Sequence, residues 1–480
     1  MLQPPHSARR AVMMMAVRYP GIPTTTDGSG QVVHVETHIT EGSAAYPITP
    51  STSMGVGYGI AYSNGVKNLW GTQLAFLEPE SEHSSASAAE GFAVAGGRVT
   101  NFTSGQGLIL MKEVLYVISG KRLPIVFHIG SRAMTSQSLN VHAGHDDIMG
   151  VSDVGWGILF ARNAQEAGDL ALIARKTAEV TSTPFFNVQD GFLTTHTIEN
   201  TLLCEPEFMK EYIGDPADHL RNLMDPYNPV MTGVVQNQDS YMKGKIAQRY
   251  FTDTVKPALL DSMAQFTEAT GRPYGLIDCY QMEDAEVCII GIGSMIETTT
   301  TVIDDLRAEG RKVGCIHVTC YRPFPGAELA AAVANCKAVA VLERMDDPMA
   351  ESNPLTAEFK AALVDAMQGM AGFPPLEKMP TVHSGSYGLG SRDITSGDIA
   401  AIYDLLESDA APRYFCIGIN HPTALAPVSG LDGRPEGSFS MRGHSVGGFG
   451  SVTTNKIMLK ISKNVSCCNK NFRMKVSKIA

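Results

Sequence analysis

Residues 44–51, Ala44-Ala45-Tyr46-Pro47-Ile48-Thr49-Pro50-Ser51, read as the entry into a helix. Thr49 can cap the first turn, and Pro50 suits the first helical position, where no amide donor is needed. A helix N-terminus carries free N–H groups and partial positive charge, so Thr49 is expected where an anionic group could bind. The same residues also fit a plain cap with no ligand. Two later stretches bear on the choice. Glu78-Pro79-Glu80-Ser81-Glu82-His83 precedes an Ala/Ser/Gly run, 84–97, that reads as a helix. Pro124-Ile125-Val126-Phe127-His128-Ile129-Gly130-Ser131-Arg132-Ala133 reads as a buried strand ending in a small-residue turn and an arginine. In open α/β sheets ligands collect at the carboxyl ends of strands, which puts Arg132 where a ligand would meet a guanidinium.

Working outward, 31–200 alternates strand-like runs with small-residue helical runs. Val99–Thr103, Pro124–Ile129 and Pro184–Val188 are the strands, and Gln165–Val180 has helical periodicity. That alternation predicts an α/β fold with a largely parallel sheet. Residues 201–282 break the pattern with Pro206, Pro216, Pro226 and Pro229, then a long helical stretch from Tyr241 to Thr270; they read as an extended connection. A second α/β unit is expected from Glu283 to about 410. Its strands are Val287–Gly293, Val313–Val318 and Lys337–Leu342, with a helix over Ser294–Glu309. Gly291-x-Gly293 is an incomplete dinucleotide fingerprint, since Ile296 takes the third glycine's place. Ser384–Ile399 reads as a Gly/Ser loop, either phosphate-cradling or an ordinary turn. Residues 1–30 read as a leader outside the fold, 411–459 as a linker with the start of a further domain, and 460–480 as a basic, atypical tail.

The chain has 480 residues, enough for two or three domains, with 44% hydrophobic and 18% charged residues. A net charge of −11 argues against a nucleic-acid partner held through phosphates. No apolar run reaches the roughly eighteen residues of a membrane span, so no membrane partner is expected. Nine cysteines are scattered with no Cys-x-x-Cys pair, so no ferredoxin-type cluster or zinc ribbon is encoded, and buried thiols in a reducing compartment are expected. His142, His145, Asp146 and Asp147 could suggest a metal site; a polar loop near the active site is the preferred reading, because the run is broken by glycine. The first fifteen residues are basic and acid-free, consistent with a transit segment or with a start upstream of the true one at Met14 or Met15.

Six stretches together carry a resemblance: Tyr46–Ser51, the acidic run ending at Glu82, Phe102-Thr103-Ser104-Gly105-Gln106-Gly107-Leu108, Phe127–Ala133, Gly144-His145-Asp146-Asp147-Ile148 and Gln189-Asp190-Gly191-Phe192. In this order and spacing the chain resembles the alpha-type, N-terminal portion of the pyruvate:ferredoxin (flavodoxin) oxidoreductases, thiamine diphosphate enzymes of the 2-oxoacid:acceptor oxidoreductase family. The resemblance implies a pyrimidine-type thiamine diphosphate domain, doubly wound, then a transketolase-C-terminal-like α/β domain. Residues 436–456 resemble the start of a gamma-type domain. It further implies that Glu82 is the acid beside the cofactor's aminopyrimidine. Its place beside an Ala/Ser helix is expected to favour proton sharing. Pro47 and Ile48 would lie beside the cofactor, while Arg132 and Thr49 would bind the 2-oxoacid. The implied reaction converts pyruvate and coenzyme A to acetyl-CoA and CO2, with electrons passed to ferredoxin or flavodoxin. The sequence holds no Gly-Asp-Gly pyrophosphate anchor with its later Asn; Asp432-Gly433 lacks the leading glycine. Mg2+ and iron–sulfur (4Fe-4S) clusters are therefore expected on a partner chain or further domains, with a homodimer or hetero-oligomer as the assembly. The implied location is cytoplasmic, or a hydrogenosome or mitochondrion-like organelle if residues 1–15 are a transit segment. A thiamine-dependent carboligase and a non-catalytic structural subunit are the alternatives.

Overall fold

The computed structural model describes residues 17–410 and 412–433; the gamma-like stretch 436–456, the tail 460–480 and the transit-like residues 1–15 lie outside them. The first unit runs β1 (Ile22–Thr26), α1 (Gly28–Ile39), β2 (Gly42–Ala44), α2 (Thr52–Ser63), β3 (Ala75–Leu77), α3 (Glu82–Val94), β4 (Val99–Thr103), α4 (Gly105–Leu110) and α5 (Lys112–Gly120). It continues through β5 (Val126–Ser131), α6 (Asp146–Met149), β6 (Gly157–Ala161), α7 (Ala164–Thr181), β7 (Phe185–Asp190) and β8 (Glu199–Leu203). The second unit supplies β9 (Ile277–Tyr280), β10 (Val287–Gly291), β11 (Val313–Val318), β12 (Cys320–Arg322), β13 (Ala338–Glu343), β14 (Thr381–Ser386) and β15 (Tyr414–Cys416).

Strands β4 to β7 are buried at every position, polar residues included, so none shows the in–out alternation of a half-buried strand. They form the middle of a seven-stranded sheet of order β12-β6-β7-β5-β4-β2-β3. All its pairings are parallel except that of β12 with β6. Helix α7 starts on the Asn163 side chain, which accepts from Glu166 N at 3.0 Å, and is buried along most of its length. Its charged residues are therefore paired. Arg175 meets Glu36 at 3.2 Å, Glu179 meets Arg98 at 2.7 Å, and Asp169 meets Arg272 at 2.6 Å.

The second sheet has the order β15-β14-β13-β10-β11-β9, parallel except for β9 at its edge. The two units share one core. Phe127, Phe160 and Phe186 of the first lie in one apolar cluster with Ile290, Ile316, Tyr321 and Leu355 of the second. Among the described residues no helix is long and apolar enough to cross a membrane.

Several elements differ from the sequence reading. Residues 22–30, placed in the leader, form β1 and the start of α1. β1 pairs antiparallel with β8 in the register Ile22↔Leu203, a distant partner that local pattern does not reveal. The helical stretch 241–270 is three helices, Tyr241–Ala247, Arg249–Thr252 and Val255–Thr270. Pro257 lies in the first turn of the last, where its missing N–H is tolerated, and it could not continue a helix from upstream. Ser384–Ser386 complete β14 instead of belonging to a loop. The helix that follows, Ser396–Glu407, opens with a Thr395–Asp398 capping box.

Candidate active site

The carboxyl ends of β2, β4, β5 and β7 meet at one end of the first sheet, and the stretch 45–51 leaves β2 there. Thr49 does not cap a helix. Helix α2 begins at Thr52 with Ser51 in the cap position, the Thr49–Pro50 peptide is cis, and no side-chain cap bond forms. The reason lies outside the stretch. Pro50 packs into the space left by two glycines, since a Cβ on Gly130 or Gly191 would sit 3.2 or 2.6 Å from its Cγ. Ser51 N also donates to Ser104 Oγ at 3.2 Å. What Thr49 offers is its carbonyl oxygen, which accepts from the Arg132 guanidinium at 3.0 Å.

Arg132 follows β5 directly and is only 6% exposed. Its Nε donates to Asn140 O at 3.2 Å and its backbone N to Asp147 Oδ2 at 3.0 Å. Desolvation lowers its pKa, against the neighbouring charges of Asp147 and Glu82. It remains a cation at neutral pH. The side chain crosses over Gly105, whose φ is +53° and whose missing Cβ would lie 2.9 Å from Arg132 Cδ. Glycine is required there for both conformation and room.

Glu82 is the first residue of α3, partly buried, with Ser81 as N-cap accepting from Ser84 N at 3.2 Å. Its neighbour Glu80 is bonded to the Ser84 hydroxyl. Glu82 instead lies against Gly107, where a Cβ would be 2.6 Å from its Cγ and 2.8 Å from Oε1. So the first turn of α4, Gly105-Gln106-Gly107, lies between the two charged groups. One glycine makes room for the arginine and the other for the carboxylate. Three buried side-chain oxygens at this end of β4 and β5, Thr103 Oγ1, Gln106 Oε1 and Ser131 Oγ, are without a hydrogen-bond partner. The set offers a carboxylate able to share a proton with a basic ring nitrogen, a guanidinium able to pair with an anion, and unpaired oxygens able to accept hydrogen bonds.

Tyr46, Pro47 and Glu78 line a cavity of about 480 Å³ beside α2. Residues 43–66 carry no charge, and Val56, Ile60 and Tyr62 are exposed on α2. Asp147, expected in a polar loop, belongs to the four-residue α6 and accepts from both Gly105 N and Arg132 N. Behind it, Asp190 Oδ1 meets His145 Nε2 at 2.8 Å. Its Oδ2 accepts from Ser294 N at 2.8 Å and from Arg344 at 3.3 Å. Burial alone would raise this carboxyl; Arg344 and His145 overcome it and hold Asp190 well below the usual range. Ser294 and Arg344 come from the second unit and were not legible as site neighbours. No group of three or more His, Cys, Asp or Glu side chains among the described residues is arranged to hold a metal ion.

Two family models match the chain. That of the pyruvate flavodoxin/ferredoxin oxidoreductase thiamine diphosphate-binding domain covers residues 35–263, and that of the pyruvate:ferredoxin oxidoreductase core domain II covers 285–398. A pyruvate-flavodoxin oxidoreductase of Nostoc sp. is 35% identical over 397 residues, 82% of this chain and 96% of that sequence. The pyruvate-flavodoxin oxidoreductase of Klebsiella pneumoniae is 34% identical over 91% of this chain but only 37% of its own length. The pyruvate:ferredoxin oxidoreductase of Moorella thermoacetica is 31% identical with the same two coverages. The chain thus spans a little over a third of those two relatives. Among solved structures, a 2-oxoglutarate:ferredoxin oxidoreductase from Magnetococcus marinus, with 2-oxoglutarate, coenzyme A and succinyl-CoA bound, has the same fold. Its TM-score is 0.58 at 20% identity, over 81% of this chain and 66% of that one.

Proposed function

The chain belongs to the pyruvate flavodoxin/ferredoxin oxidoreductase family, and on that premise we propose that it supplies the pyrimidine-side and substrate-binding half of a thiamine diphosphate site. The overall reaction takes pyruvate and coenzyme A to acetyl-CoA, CO2 and a proton, and passes two electrons singly to ferredoxin or flavodoxin. When bound, thiamine diphosphate supplies the carbon nucleophile and the electron sink for loss of CO2. The residues of this chain do the rest of the work at its end of the site. Glu82 holds and returns the proton at the pyrimidine nitrogen, next to Pro47 and Ile48. Arg132 binds the 2-oxoacid carboxylate with a charge-assisted hydrogen bond, and its anchor on the Thr49 carbonyl fixes its direction. The observation that carries the reading is the convergence of Glu82 and Arg132 on the Gly105–Gly107 turn.

Mg2+, the pyrophosphate anchor and the 4Fe-4S clusters belong, in this proposal, to a partner chain or to further domains of the same polypeptide. The uncharged, partly exposed helix α2 beside the cavity supports contact with such a body. A homodimeric or hetero-oligomeric assembly is part of the same proposal. A cytoplasmic location is part of the same reading and draws on the thiols, all free and nearly all buried among the described residues.

Calorimetry tests the division of labour. The 480-residue chain alone should bind thiamine diphosphate with Mg2+ only weakly, because the diphosphate and its metal carry much of the affinity. Adding the polypeptide with the anchor should create a tight site. Within that assembly Glu82→Gln should stop hydrogen exchange at the thiazolium C2. Tight stoichiometric binding by the lone chain would overturn the proposal.

A further inference from the structure

One fully buried carboxylate at the site has no part in the chemistry above. Asp147 is 0% exposed. Its Oδ2 accepts from Gly105 N at 2.8 Å and from Arg132 N at 3.0 Å, and its Oδ1 accepts from Ile148 N at 2.7 Å. Gly105 opens α4 and Arg132 directly follows β5, so one oxygen ties the start of α4 to the exit of β5. Those are also the two backbone points from which the site is built. Arg132 carries the guanidinium over Gly105, and Gly107, two residues on, gives Glu82 its room. We propose that Asp147 is a positioning residue that fixes the separation between the Glu82 carboxylate and the Arg132 guanidinium.

The inference rests on the reading of Glu82 and Arg132 given above. Three features support it. A carboxylate taken wholly out of water is a costly way to satisfy three N–H groups. Burial pushes the Asp147 carboxyl up to about 7 even though three N–H groups donate to it. Finally, the contact is long-range in the chain and ends on the residue that meets substrate, where about 1 Å of misplacement is worth on the order of a hundredfold in rate.

The experiment separates an acceptor from a filler of space. Asp147→Asn keeps one oxygen that can serve both Gly105 and Arg132 and gives up only the local bond from Ile148 N; Asp147→Leu fills the volume with no acceptor; Asp147→Ala is the second apolar variant should Leu not fit. In the assembled enzyme, the apolar variants should raise the pyruvate KM about tenfold or more, and Asn should stay within about threefold of wild type. In the full chain without cofactor, hydrogen exchange at the Gly105 and Arg132 amides should accelerate in the apolar variants and not in Asn. Wild-type KM and protection in the apolar variants would overturn the inference. So would an equal loss in all three that tracks melting temperature. Arg132→Ala is the control on the reading beneath it. If that variant leaves the pyruvate KM unchanged, the substrate site itself is misassigned. If it raises KM while Asp147→Leu does not, only the role of Asp147 falls.

Discussion

Replacing Gly107 with alanine tests the site at the point where it is tightest. The new Cβ would stand 2.6 Å from Glu82 Cγ, 2.9 Å from Cδ and 2.8 Å from Oε1. Carbon atoms rest at roughly 3.5–4.0 Å, so the Glu82 side chain must withdraw by about 1 Å. The backbone of α4 cannot yield as readily, because Gly107 is buried and its N–H is bonded to Ser104 O at 3.1 Å. A retreat of that size should slow hydrogen exchange at the cofactor's C2 by about a hundredfold, or ~2.7 kcal/mol. Stability should hardly change, since alanine is favoured over glycine in a helix by up to about 1 kcal/mol and the displaced group is a flexible side chain. Gly91→Ala is the matched control: it lies in α3, and its Cβ would meet nothing within 4 Å. The assay is deuterium exchange at C2 in the assembled enzyme, read by quenched NMR, beside thermal melts of both variants. A well-folded Gly107→Ala enzyme that exchanges within threefold of wild type would refute the placement of Glu82 at the pyrimidine.

Two further outcomes follow from buried charge. Burial lifts the Glu343 carboxyl to about 7, so above its ordinary value of 4.5 the folded chain keeps a proton that the unfolded chain has lost. Unfolding free energy should therefore fall as pH rises from about 4.5 to about 7, and Glu343→Gln should flatten that fall by about 2 kcal/mol between pH 5 and 7 in urea titrations; identical slopes in the two proteins would sink this account. Glu179→Ala should cost about 3–5 kcal/mol in the same titration, because it strands the fully buried Arg98 guanidinium that Glu179 holds at 2.7 and 2.8 Å. A loss below about 1 kcal/mol would mean that water or another acceptor reaches Arg98.

Strands β4, β5 and β7 and helix α7 were legible because each is buried and locally consistent, whereas the five residues of β6 did not stand out. Thr49 was misread as a cap because what places Pro50 is two distant glycines, one in β5 and one just after β7, and a local motif cannot report them. β1 was missed for a similar reason: Ile-Pro-Thr-Thr-Thr has no period of its own and is held by β8. Glu82 could not be told from Glu78 and Glu80 by its neighbours in sequence; only the resemblance singled it out. The structure supplies a physical difference, the gap at Gly107. Asp147 was visible as a residue but not as a joint, since its partners Gly105 and Arg132 lie on separate elements.

The strand β12 belongs by sequence to the second unit, yet it forms the rim of the first sheet against β6. Dissecting the chain at the obvious seam near residue 283 would strip that rim away and uncover the backbone of β6, a template for unwanted pairing between molecules. Recombinant pieces cut there should be sticky and poorly behaved for a reason unrelated to catalysis. The same constraint applies to inheritance: a gene split between the two sheets would have to rebuild the lost border at once, whereas a split beyond β15 leaves both sheets whole.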